Sequence, residues 1–290
     1  MSGHRKATAN VGFNMAEFEG TTLLSTDAVS VWDVECPGAC TRQSDEECAD
    51  TTQFVFPYRG LYLRHVGRKE SVAEPSQVVV FNADEPYRVS HPVEGGDACL
   101  SIEPSAATLL ELAPSEMLRT SEQAALNRSH MRIAAQTQSL AAILRHRMNR
   151  GVAGVLEAET LTLALIRHAL GNADPDRSKV TTRTRTLVDQ TKQVIVADLG
   201  RRVTLGEIAA QVGVSPVYLT QIFQRVEGIP LYRYQLRLRL ARALQLLNHY
   251  DDVTELALEL GFSSHSHFTA AFKQAYGQTP STFRRSVRRH

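Results

Sequence analysis

The sequence predicts an α+β protein: a strand-rich N-terminal part followed by an all-helical C-terminal part. Three observations point there. Residues 20–115 carry short β-prone runs separated by turn residues. Two stretches near the C-terminus repeat one helix, turn, helix pattern. Charge divides in the same way: residues 183–290 hold 15 Lys+Arg and 8 Asp+Glu, a formal +7, while residues 1–182 hold 17 and 23, a formal −6. A chain of net charge +1 built from an acidic and a basic part suggests two jobs.

The sharper helical unit runs from Ala257 to Arg284. Ala257 is small enough for close helix packing, and Gly261 can take the positive φ that ends a helix. Ser263 or Ser264 can cap the next helix, in which Phe268 and Phe272 share a buried face. That leaves Ser264, His265, Ser266, His267, Thr269, Ala270 and Lys273 facing out, short hydrogen-bonding groups with one cation that suit a DNA major groove.

The upstream unit follows the same logic. Thr204 and Glu207 have the spacing of a capping box. Ala209 and Gly213 repeat the small-residue turn, and Ser215-Pro216 offers an N-cap with proline at the first helical position. Leu219, Ile222 and Phe223 form the buried stripe, so Val217, Tyr218, Thr220, Gln221, Gln224 and Arg225 face out, and Pro216 at the helix start joins the DNA-binding candidates. An amphipathic helix from Leu231 to Leu247, carrying Arg233, Arg237, Arg239 and Arg242, joins the two units.

The run Ala257, Gly261-Phe262, Ser263-Ser264, Ser266, Phe268, Phe272-Lys273, Gly277, Thr279-Pro280 and Arg284 resembles the C-terminal DNA-binding domain of the AraC family of transcription regulators. Phe283 departs from the Tyr usual in that family. The resemblance implies two helix-turn-helix units joined by a long helix, bound to double-stranded DNA. By position, Val217, Thr220 and Gln221 would face bases in one groove and His265, Ser266, His267, Thr269 and Ala270 the next, with Arg225 and Lys273 on phosphates. It also implies RNA polymerase as a partner, activation rather than repression, and a cupin-like antiparallel barrel as the N-terminal sensor of a small molecule or metal. The tail from Arg284 to Arg289 either adds nonspecific DNA contacts or is a solvated end.

Four segments follow: a tail over 1–19, a sensor and dimerisation part over 20–170, a polar linker over 171–181, and the DNA-binding part over 182–290. Helices are expected from Met131 to Met148, from Leu156 to Leu170, and from Val180 to Leu199. The apolar stripes of the first two either pair two copies as a homodimer or pack internally. The strand runs are Val29–Val34, Phe54–Pro57, Leu61–Val66, Val78–Phe81, Tyr87–Val89 and Ala98–Ile102. Trp32 and Cys99 read as core, and Arg88 as a surface ion pair.

Cys36, Cys40 and Cys48 fall in one short polar loop, so three thiols can converge on a soft ion such as zinc. The fourth ligand would be Cys99, His65, His91 or water. A redox or electrophile sensor, a zinc-activated methyl acceptor, or unconnected reduced thiols remain open alternatives. The sensor lacks the His-x-His of a cupin metal site, so no catalytic metal is expected inside the barrel. No nucleophile with a base, phosphate loop or nucleotide fingerprint is present, which argues against an enzyme. No apolar run reaches the roughly 20 residues that span a bilayer. The N-terminus lacks an apolar stretch behind its charges, so a cytoplasmic location without membrane association is expected.

Overall fold

A computed structural model describes residues 19–38, 42–119, 124–171, 181–201 and 203–288. The expected tail and linker, and Cys40, lie almost wholly outside these residues.

Among the described residues the strands are β1 (Glu19–Ser25), β2 (Val29–Cys36), β3 (Gln53–Arg59), β4 (Tyr62–Val66), β5 (Lys69–Ala73), β6 (Gln77–Phe81), β7 (Arg88–Ser90), β8 (Asp97–Pro104) and β9 (His130–Arg132). They form a six-stranded sheet in the order β1-β2-β8-β3-β6-β9 and a three-stranded sheet in the order β5-β4-β7. The paired strands are antiparallel. The expected barrel is thus realised as two facing sheets.

The alternation of each strand explains the layering. Val31, Phe54, Phe56, Leu100 and Ile102 enter one cluster, while Trp32, Val34, Val55 and Cys99 from the same strands enter another. Successive side chains point to opposite faces, so both faces of the large sheet are apolar and both are covered. The first face is covered by α1 (Ala106–Leu112), α2 (Ala135–Asn149) and α3 (Val155–Gly171), through Leu109, Leu144, Leu165 and Ile166. The second faces the small sheet, through Tyr62 and Val89. Trp32 and Cys99 are therefore core, and Arg88 pairs with Glu46 at 3.6 Å on the surface.

The helix expected from Met131 begins later, at Ala135. Residues 130–132 instead form β9, which pairs with β6 in the register Gln77↔Arg132. The stripes of α2 and α3 pack within the chain: Leu140 and Leu161 lie on the sheet cluster, while Ala142 and Ile143 lie against the C-terminal helices.

The helices that follow among the described residues are α4 (Thr182–Ala197), α5 (Leu205–Gln211), α6 (Pro216–Glu227), α7 (Leu231–Leu246), α8 (Val253–Glu259), α9 (His265–Tyr276) and α10 (Pro280–Arg288). The first unit packs on Val188, Ile208, Leu219, Phe223 and Leu238, the second on Leu244, Leu256, Phe268, Phe272 and Phe283. The basic tail is largely α10: Phe283 and Val287 are buried, and Arg284 donates to the Tyr250 carbonyl at 3.1 Å.

Candidate nucleic-acid interface and a buried polar cluster

Local capping positions both exposed helices. Thr204 and Glu207 form the reciprocal capping box of α5, and hydrogen bonds from the Thr204 backbone and hydroxyl hold the Glu207 carboxyl down at about 2. Ser215 accepts from Tyr218 N to start α6, with Pro216 next. Ser264, not Ser263, caps α9 by accepting from His267 N at 3.1 Å. Gly213 and Gly261 hold the two turns at φ of +72° and +78°.

The sequence places one stripe of each helix inside, and the structure leaves the other in solvent. Pro216, Val217, Gln221, Gln224 and Arg225 are exposed on α6, with Thr220 half-buried. Thr220 Oγ1 donates to the Val217 carbonyl at 2.8 Å. At the start of α9, cap residue Ser264 is exposed, as are His265, Ser266, His267, Ala270 and Lys273, while Thr269 is half-buried. His267 lies against Phe262, ring centroids 5.4 Å apart, with Nδ1 3.1 Å from Ser263 Oγ.

Arg239 of α7 connects the units. Its guanidinium donates to the carbonyls of Leu199 at 2.9 Å, Arg201 at 2.8 Å and Gly261 at 3.1 Å. The interleaved arginines of α7 were legible as a basic helix; this threefold carbonyl contact was not.

The N-terminal part grips the first unit. Glu227, in the last turn of α6 and 2 % exposed, takes Arg132 of β9 at 2.6 Å and Lys192 of α4 at 3.1 Å. Arg132 also donates to the carbonyls of Glu227 and Val226. These are the orphan carbonyls of a helix C-terminus, where a cation is favoured. Beside this contact opens a cleft of about 560 Å³, lined from both parts by residues including Glu70, His130, Arg132, Arg185, Asp189 and Lys192. A second contact joins α2 to α7. Arg145 reaches Asp33 at 3.1 Å and Gln245, and His146 Nε2 lies 3.0 Å from the Leu244 carbonyl.

The cysteines of the sequence loop are placed differently from one another. Cys36 is buried at the end of β2 and Cys48 is exposed. Slight burial, then Asp84 and Asp50, raise the Cys48 thiol above its ordinary range. Among the described residues, the donors gathered closely enough to hold an ion are Cys36, His91 and Asp97, whose ligand atoms lie within 4.8 Å of one another. His91 was a candidate ligand from the sequence. Asp97 was missed, although it opens β8 two residues before Cys99 on the same face. His91 Nε2 is 2.6 Å from Asp97 Oδ1. Burial opposes charge on this imidazole, but Asp97 and the Cys36 thiol outweigh it and raise His91 to about 10.

Comparison with known proteins places residues 208–286 in a helix-turn-helix domain family. The Msm operon regulatory protein of Streptococcus mutans is 31% identical over 105 residues, covering 36% of this chain and 38% of that protein. The transcriptional activator RhaR of Klebsiella pneumoniae is 29% identical over 129 residues, covering 44% of each. The aligned regions thus span less than half of these relatives. Among solved structures, a transcriptional regulator with an AraC-type DNA-binding domain from Chromobacterium violaceum is 28% identical, covering 37% of this chain and 96% of that one, with a TM-score of 0.35.

Proposed function

We propose, from the premise that the C-terminal part of this chain is an AraC-type helix-turn-helix domain, that the protein is a sequence-specific regulator of transcription. In this reading residues 182–290 bind double-stranded DNA and residues 20–170 sense an effector. The observation that carries it is the pair of capped helices α6 and α9, each with a polar exposed face, tied through Arg239. A recognition helix enters the major groove with its first turns on base edges, so two such units read segments about one helical turn, ~34 Å, apart.

Val217, Thr220 and Gln221 read bases in one segment, and His265, Ser266, His267, Thr269 and Ala270 in the next. Pro216 and Ser264 set the helix starts against the backbone. Gln224, Arg225 and Lys273 meet phosphates, which fix register without reading sequence. The protein acts in the cytoplasm, with RNA polymerase as partner at an activated promoter, and carries no catalysis of its own.

The cleft of about 560 Å³ supports a small polar effector, because an occupant there touches both parts at once. Its differential contact with the two parts would shift how α6 is held. The test is selection of duplexes from a random pool with the full chain. A recovered motif of two elements about one turn apart, bound far more tightly than scrambled duplex, is the expected result. No enrichment, with equal affinity for all duplexes, would overturn the reading.

A further inference from the structure

We infer that Cys36, His91 and Asp97 form a binding site for a zinc-class divalent ion inside the N-terminal part, distinct from the three-thiol loop that the sequence suggested. The inference does not depend on the DNA-binding reading.

The three residues come from separate elements and are brought together by pairing. Cys36 ends β2 and stands opposite Asp97, the first residue of β8, in the antiparallel register. His91 follows β7 of the facing small sheet. All three are 3–4 % exposed. A sulfur, a nitrogen and an oxygen donor from three segments, within 4.8 Å of one another, match the mixed donor set of a zinc site.

The imidazole is only half satisfied by the protein. Nε2 has Asp97, but Nδ1 is buried without a hydrogen-bond partner. Buried polar atoms are ordinarily paired, so an unpaired one in a cluster of donors points to a missing ligand.

The backbone around the cluster is pressed together. A Cβ built on Gly38 would lie 2.3 Å from Gly96 Cα, and one on Gly96 would lie 2.0 Å from the Cys36 carbonyl oxygen. Both glycines have positive φ, +73° and +66°. The Cys36–Gly38 and Gly96–Asp97 backbones therefore touch directly, which fixes the thiol against the carboxylate before any ligand arrives.

The same thiol, imidazole and carboxylate are the groups of a nucleophilic triad, but the space argues against that use. The cavity beside His91 and Asp97, walled by Val34, Val55, Tyr62 and Cys99, is about 30 Å³. That is far below the roughly 300–1,000 Å³ of a small-molecule site, and it suits an ion better than an organic substrate.

Binding balances without an oxidant. The ion displaces one proton from the Cys36 thiol and one from the His91 imidazole, both released to solvent, and bonds to the sulfur, to one ring nitrogen and to a carboxylate oxygen, while the other ring nitrogen keeps its N–H.

The test uses the full chain, stripped with chelator under reducing conditions and titrated with Co²⁺ and then Zn²⁺. The expected result is one ion per chain, a sulfur-to-cobalt charge-transfer band, and displacement of cobalt by zinc. Cys36→Ser should remove the band, and His91→Gln and Asp97→Asn should each weaken binding tenfold or more, while Cys48→Ser leaves all readings unchanged. Absence of a thiolate band in the folded wild-type chain would overturn the site, whatever the variants do. So would a band that survives Cys36→Ser and disappears with Cys48→Ser, which would return the ion to the sequence loop. DNA affinity is measured separately on the same samples, so loss of metal binding and loss of DNA binding are told apart.

Discussion

Arg132 Nη2 lies 2.6 Å from Glu227 Oε2, so an edge strand of the N-terminal part holds the last turn of helix α6. The carboxylate is nearly fully buried and shares Lys192, and the guanidinium also covers two terminal carbonyls of the helix. Arg132→Ala removes a cation from Glu227 and the donors that cover two carbonyls at the helix end. The expected cost is about 1.5–3 kcal/mol, since hydrogen bonds to charged groups are worth that much. Hydrogen exchange should rise at residues 224–228 before it rises in α9. Uniform loosening of the whole chain would mean that the contact is only one packing detail among many. Arg132→Lys restores charge without the fork and should recover part of the protection.

Arg239 carries a separate prediction. Three carbonyls, from Leu199, Arg201 and Gly261, converge on one guanidinium. A lysine ammonium has no planar fork to span them. Arg239→Lys should lower stability by about 1.5–3 kcal/mol in denaturant unfolding. It should also reduce the advantage of a two-element duplex over either element alone. If the two-element advantage is unchanged while stability falls, the residue holds the fold and does not set the spacing of the two units.

What was legible in the sequence follows the range of the interaction. Caps and turns are local, so Thr204 with Glu207, Ser215 with Pro216, and Gly213 and Gly261 announce themselves within a few residues. The helical stripes of α6 and α9 follow from the 3.6 period alone. The three-residue strand β9 was absorbed into a neighbouring helix because its pairing with β6 is nonlocal and Met131 continues an apolar run. For the same reason the grouping of Cys36 with His91 and Asp97 was hidden. Cysteine spacing drew attention to Cys48, but strand register, not spacing, decides which side chain meets Asp97.

The contact between α2 and α7 makes stability depend on pH. His146 Nε2 donates to the Leu244 carbonyl at 3.0 Å, since a carbonyl only accepts. Burial first, then the charge of Arg145, lowers this imidazole from 6.5 to about 4. A lowered histidine pKa means that the unfolded chain binds the proton first. The contribution is present above pH 6.5 and is lost as pH falls toward 4, at up to about 1.4 kcal/mol per pH unit. His146→Gln keeps an N–H donor without titrating, so its unfolding free energy should fall less steeply over that window. Parallel slopes for the two proteins would place the acid sensitivity elsewhere.

Base reading and phosphate contact separate by their response to salt. Gln221 is exposed on α6, where its amide can pair with a base edge, and Lys273 is exposed in the last turn of α9. Removing a base contact costs about 1–3 kcal/mol on the specific duplex. Gln221→Ala should therefore weaken specific binding and leave nonspecific affinity nearly unchanged. Lys273→Gln should weaken both alike and reduce the slope of log K against log salt by about 0.9, the loss of one released counterion. Equal losses for Gln221→Ala on specific and scrambled duplexes would remove it from the base-reading set. An unchanged slope for Lys273→Gln would place that side chain off the phosphates and turn α9 so that another face meets the groove.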